Sequence, residues 1–231
     1  MKTAKQRYCL VIDARADEKV GAEQRHALFF ERIKSVPAPW GMGNQVVPRG
    51  PTFRDGDFDA IGFTKFFGGA VKQAMLTYVY RRTLDDSGDS DDRLFIDIDP
   101  AKSDLHQFAQ VVIPRFIEAF DGYRAECFDE QFLFSANKVR EGEIVARSPE
   151  PTEVDNLRFR VTEVMPISFF DELLCRRAFN RTPAEVLERM RGMVEHARLL
   201  HGGVYLIGST RALSFDEAQA LSDEMTRTLL G

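Results

Sequence analysis

The chain has 231 residues, of which 44% are hydrophobic and 29% charged, with a net charge of −5. That is the composition of an ordinary water-soluble globular protein, and its acidity argues against general nucleic-acid binding, which leaves a basic footprint. No stretch approaches the roughly 18 uninterrupted apolar residues of a membrane span, and the apolar run near the start, Tyr8 to Ile12, is too short for a signal-peptide core.

In chain order, residues 7–13 (RYCLVID) are β-branched and aromatic enough for a strand. Gly21 to Val36 reads as a helix, with Ala27, Phe30 and Ile33 recurring near helical spacing, and Pro37 and Pro39 stop it. Residues 37–58 are rich in Pro and Gly and predict an ordered loop with room for one short strand. Phe63 to Tyr80 is a second helical candidate, since Phe63, Phe66, Phe67, Ala70, Val71 and Met75 can share one face, although Gly68 and Gly69 weigh against it. Arg93 to Asp99 predicts a strand, and Leu105 to Phe120 a helix that Pro114 kinks or splits.

The middle of the chain predicts strands at Gln131 to Ser135, Glu143 to Ala146 and Leu157 to Val164. The last alternates Leu157, Phe159 and Val161 with Arg158, Arg160 and Thr162. Thr182-Pro183-Ala184-Glu185 is a capping box with Pro at the first helical position, opening a helix that runs to about Leu200 and ends at His201-Gly202-Gly203. Val204 to Ser209 reads as a strand, and Ser214-Phe215-Asp216-Glu217 as a second capping box opening the C-terminal helix. With no repeat and no low-complexity linker, residues 1–231 read as one α+β domain, with a mixed or mostly antiparallel sheet and packed helices.

The acidity is local. Between Asp85 and Asp104 eight aspartates face only Arg93 and Lys102, so this segment alone exceeds the negative charge of the whole chain. Its first part, with Asp85, Asp86, Asp89, Asp91 and Asp92 around Ser87, Gly88 and Ser90, has loop composition. It suits a surface that steers a basic protein partner. Asp55, Asp57 and Asp59 form a second alternating acidic patch that extends such a surface. Trp40, the one tryptophan, sits in the Pro/Gly loop and reads either as an interface anchor or as a core anchor for that loop.

Asp97 and Asp99 are two apart on the predicted strand and would share a face, so they keep open a metal-dependent phosphotransfer or hydrolase alternative. They carry no Walker-type loop and no calcium-loop spacing with them. The four histidines form no metal motif, and no Gly-x-Ser-x-Gly elbow occurs. Ser209 follows a strand, but the next helix starts too late for such an elbow. Cys175 precedes Arg176 and Arg177, a setting that can depress a thiol. Cys9, Cys127 and Cys175 are otherwise widely spaced and read as reduced, buried thiols. Gly41-Met42-Gly43-Asn44 lacks the third glycine and the following helix of a nucleotide loop. The leading reading is therefore a chain with no catalytic site, no metal and no cofactor, with Asp97 and Asp99 as the alternative.

Met165-Pro166-Ile167-Ser168-Phe169-Phe170-Asp171, Leu174-Cys175-Arg176-Arg177-Ala178-Phe179, Thr182-Pro183-Ala184-Glu185-Val186 and Gly203-Val204-Tyr205-Leu206-Ile207-Gly208-Ser209 together resemble the immunity protein 52 family. Trp40-Gly41 fits the same pattern. These proteins belong to bacterial polymorphic-toxin and type VI secretion systems. The resemblance implies an α+β fold without catalysis that binds and silences a cognate secreted toxin, often a nuclease with a restriction-endonuclease-like fold. It implies a cytoplasmic place of action and a protein partner, rather than direct contact with nucleic acid or membrane. It brings no catalytic residues and no defined set of toxin contacts, so the acidic surface is a reading of the charges alone.

Overall fold

In a computed structural model of the protein, which describes residues 6–17, 19–54, 58–80, 91–131 and 158–231, eight strands form one sheet. Their order is β2-β3-β4-β1-β5-β6-β8-β7 and every pairing is antiparallel. The strands are β1 (Tyr8–Ala14), β2 (Phe58–Gly62), β3 (Val71–Val79), β4 (Asp92–Ile98), β5 (Arg124–Asp129), β6 (Ile167–Phe170), β7 (His196–Leu200) and β8 (Gly203–Ile207). The α-helices are α1 (Ala22–Ile33), the single turn α2 (Leu105–Gln107), α3 (Ile113–Phe120), α4 (Glu172–Phe179), α5 (Pro183–Met190) and α6 (Phe215–Leu230). The α+β expectation holds.

The two halves of the sheet carry their helices on opposite faces. Period-two alternation sends Leu10, Ile12, Leu94, Ile96, Leu76 and Tyr78 to one face, where α1 and α3 cover them. Helix α1 buries Ala22, Arg25, His26, Phe29, Phe30 and Ile33, an i, i+3, i+4, i+7 stripe. Ala27 lies outside that stripe and is exposed. Phe29, Phe30, Phe63, Phe66, Phe67, Phe116 and Phe120 form one aromatic layer, with ring centroids 5.1 to 6.5 Å apart and mostly edge-on or tilted. On the opposite face, α4, α5 and α6 bury Leu174, Cys175, Val186, Met190, Met225 and Leu229 against Phe170, Val204 and Leu206.

Three expectations are overturned. Phe63 to Tyr80 is not a helix. Its phenylalanine spacing belongs to one 3-10 turn, Thr64–Phe66, after which Ala74, Leu76 and Tyr78 alternate inward as β3. The helix opened by Thr182 ends at Met190, because residues 196–200 pair with β8 through a two-residue turn at His201 (φ 44°) and Gly202 (φ 73°). Residues 158–164 are not a strand; that irregular segment lies over the sheet with Arg158, Val161 and Val164 buried. Gln131 is helical rather than part of a strand, and the rest of the strand expected over 131–135 and the one over 143–146 lie outside the described residues.

The helix expected over Leu105 to Phe120 is split, ahead of Pro114 rather than at it. A π-helical stretch, Phe108–Val112, precedes α3. Proline donates nothing to the carbonyls one turn back, so those of Ala109 and Gln110 need other partners. Tyr205 Oη donates to Ala109 O at 2.7 Å and Arg198 Nη2 to Gln110 O at 2.8 Å. Both expected capping boxes form, on α5 and α6. In the second, Arg211 and Ser214 hold the exposed Glu217 carboxyl down to about 2.

Candidate functional site

The described start of the acidic block, Asp91 and Asp92, is buried in the fold. Asp91 immediately precedes β4 and Asp92 opens it, and their side chains meet partners on opposite faces of the sheet. Asp92, fully buried, lies 3.1 Å from Arg25 Nε on the α1 side and accepts from Val79 N at 3.0 Å. Arg25 also donates to Arg15 O at 2.7 Å. On the other face Asp91 Oδ1 accepts from Arg158 Nη2 and Nε at 2.6 and 2.8 Å, and its other oxygen takes Tyr123 Oη at 2.7 Å. Beside them Arg93 Nε binds Asp13 Oδ1 at 2.7 Å and Arg124 Nη2 binds Glu126 at 2.7 Å. Burial pushes the Asp91 carboxyl up despite Arg158 and Tyr123. Burial alone would lower Arg93, but Asp13 outweighs it and holds the guanidinium above its usual value.

Above this network, at the same end of the sheet, lies an open cleft of about 620 Å³. The end of β1 supplies Arg15, whose guanidinium lies 4.1 Å over the Tyr123 ring and pairs with Asp171. Asp171 is also the N-cap of α4, accepting from Leu174 N at 2.7 Å. The left-handed C-cap of α3, Asp121, holds His201 Nε2 at 2.8 Å, and Lys19 and Asp17 complete the rim. Although a His–Asp pair stands here, the described residues lining the cleft include no Ser, Thr or Cys to serve as nucleophile. Cations and anions face each other in pairs, the pattern of a polar contact surface rather than of a charge-selective pocket.

The predicted site residues fall in three places. Asp85, Asp86, Asp89, Asp55 and Asp57 lie outside the described residues. Asp91 and Asp92 are buried ion-pair partners, so the expectation that they meet a partner at the surface is corrected: each faces an arginine that compensates its desolvation. Trp40 is corrected likewise from interface to core, buried with its ring 4.5 Å from Phe108 and 6.0 Å from Phe67. Asp59, the described member of the second acidic patch, accepts from Thr52 N at 2.7 Å.

Asp97 and Asp99 do not converge on a shared opening. Asp97 is engaged by Arg7, with Nε at 3.1 Å, and Asp99 lies past the end of β4, capping the 3-10 turn Pro100–Lys102. Among the described residues no three His, Cys, Asp or Glu side chains gather as metal ligands would. Cys175 is buried, donates to Phe170 O, and is raised to about 12 by burial. The neighbouring arginines do not lower it, because Arg176 is paired with Glu172 at 2.8 Å and Arg177 lies 3.9 Å over the Phe159 ring. Ser209 is bound to Glu195 at 3.2 Å, with Glu195 also taking Thr210 N at 2.8 Å. The sequence reading set His201 aside with the other histidines and missed Arg15, Asp121 and Tyr123; Asp121-Gly122, a turn before an aromatic, was the available signal.

No protein-family model matches the chain, and no curated protein matches it. Among solved structures its fold is similar to that of Pseudomonas aeruginosa T6SS protein PA0821, with a TM-score of 0.52 and 10% identity over 97% of this chain and 72% of that one. Among the described residues no helix is long and apolar enough to cross a membrane.

Proposed function

We propose that the chain is a cytoplasmic immunity protein of a type VI secretion system, which binds a cognate toxin and neutralises it stoichiometrically instead of catalysing a reaction. The observation that carries this reading is the likeness of fold, across nearly the whole chain, to a T6SS protein. The sequence resemblance of residues 165–217 to the immunity protein 52 family agrees with it. Those residues now have physical roles: Phe169 and Phe170 face the two cores from β6, Asp171, Thr182 and Ser214 cap helices, and Tyr205 and Leu206 pack β8 on both faces. They are words of a scaffold, as expected of a protein that works by presenting a surface.

The chemistry of the ionisable groups supports the same reading. Carboxylates that looked reactive are committed to arginines or caps, and the thiols are buried with their pKa raised. The partner that suits the acidic block is a basic one, and a nuclease with a restriction-endonuclease-like fold must carry a basic cleft to hold phosphates.

The test is co-expression with the toxin encoded next to this gene, together with titration of the purified pair. Rescue of growth and a one-to-one complex below micromolar Kd are expected. No complex at micromolar concentration and no rescue would sink the proposal. With the complex in hand, neutralising Asp85, Asp86 and Asp89 together slows association at low salt and has little effect at high salt. Rates that are insensitive to ionic strength would remove steering from the account.

A further inference from the structure

We infer that β7 is a docking edge, which receives an extended strand of the toxin whose side chains alternate acidic and apolar. This rests on the immunity reading above and names the surface that reading leaves open.

Strand β7 ends the order of the eight and, among the described residues, has one neighbour, β8. Its turn to β8 has positive φ at both His201 and Gly202, the geometry of a two-residue type I′ hairpin. Leu200 and Gly203 are therefore the closing hydrogen-bonded pair, followed by Arg198 with Tyr205 and His196 with Ile207. The N–H and C=O groups of Ala197 and Leu199 consequently point away from the sheet. No described residue bonds to them.

Edge strands are normally blunted by proline, a bulge or an outward lysine. Here none of these is present. Arg198 is the strand's one lysine or arginine, and it is drawn sideways over the Tyr205 ring (5.6 Å) onto Gln110 O. On the other face Leu199 is 59% exposed.

A cleft of about 290 Å³ runs beside the edge on the α3 side, lined by Gln110, His196, Arg198 and Tyr205; Glu195 at its rim is turned to Ser209 and Thr210. A strand added to β7 places the residue opposite Arg198 over this cleft, beside the cations of Arg198 and, when protonated, His196. It places the next residue beside Leu199 on the far face. An acidic side chain fits the first position and an apolar one the second.

A second copy of this chain fits poorly. The two-fold antiparallel register that uses both outward residues pairs Ala197 with Leu199 of the copy, and so sets Arg198 against Arg198.

Amide hydrogen exchange, followed by NMR on the free chain and on its complex with the adjacently encoded toxin, tests this. The Ala197 and Leu199 amides exchange rapidly in the free chain and slow by about a hundredfold or more in the complex. Leu199→Lys, at an exposed position, weakens the complex by about tenfold or more. If the complex forms while both amides exchange as before and Leu199→Lys binds like the wild type, the docking edge is wrong and the immunity reading stands. If no complex forms, both fall. If the chain self-associates, and Leu199→Lys makes it monomeric without changing toxin binding, the edge belongs to a second copy and the inference is overturned.

Discussion

The two halves of the sheet are stabilised differently. The β2-β3-β4-β1 half is covered by an aromatic layer and closed at one end by ion pairs with buried carboxylates, whose partners are remote in sequence: 80 residues for Arg93 with Asp13 and 67 for Arg158 with Asp91. The β6-β8-β7 half is covered by three short or medium helices, each opened by a local N-cap. The first half therefore depends on long-range closure, whereas the second is assembled largely from neighbours.

This contrast is sharpest at Asp91. Asp91→Ala removes the buried carboxylate on which Arg158 and Tyr123 converge and costs about 3–5 kcal/mol in denaturant unfolding. Replacing the group together, as Asp91→Leu, Arg158→Met and Tyr123→Phe, recovers most of that loss, because the carboxylate and the two groups that donate to it go together. A single substitution costing under about 1 kcal/mol would place the pair among ordinary surface bridges.

In the other half, Ser214→Ala or Thr182→Ala removes a capping box and costs about 1 kcal/mol, lowering Tm by about 2–4 °C. Calorimetry of the two single variants and the double variant checks this. The effects should add, since the two caps share no partner. Strong non-additivity would show that α5 and α6 form one cooperative unit.

The smallest effect is one of pH. His26 is buried between Phe30 and Tyr78, with Nε2 bonded to Pro48 O at 2.8 Å, and burial lowers its pKa below the usual 6.5. The unfolded chain then binds a proton more readily than the folded one. Stability from this site is full above about pH 6.5 and declines as pH falls through that value toward the folded pKa. Melting temperature should fall between pH 7.5 and pH 5.5, less steeply in His26→Phe. The exposed Glu217, held at about 2, loses its contribution only below its ordinary 4.5, outside that window. Equal slopes in both proteins would remove His26 as the cause.

How much was legible follows the same division. Strand β1, helix α1, both capping boxes, β8 and the C-terminal helix announce themselves within a few residues, because a cap or an alternation needs only near neighbours. Phe63, Phe66 and Phe67 misled because i, i+3, i+4 spacing suits a 3-10 turn as well as a helix, and the β3 alternation of Ala74, Leu76 and Tyr78 begins only after Gly68-Gly69. Residues 196–200 have the helix-forming composition to extend α5, yet pairing with β8 overrides it. The cleft around Arg15, Tyr123 and His201 was invisible, since its members come from four separate elements.

Composition, periodicity and caps thus determined an α+β chain with a local acidic block and no reactive motif. Tertiary structure alone decided that Asp91 and Asp92 turn inward, that Trp40 is core, and that β7 rather than a longer helix ends the sheet. The physical reason is that a carboxylate's burial depends on whether an arginine dozens of residues away reaches it, and a strand's existence depends on which strand lies beside it.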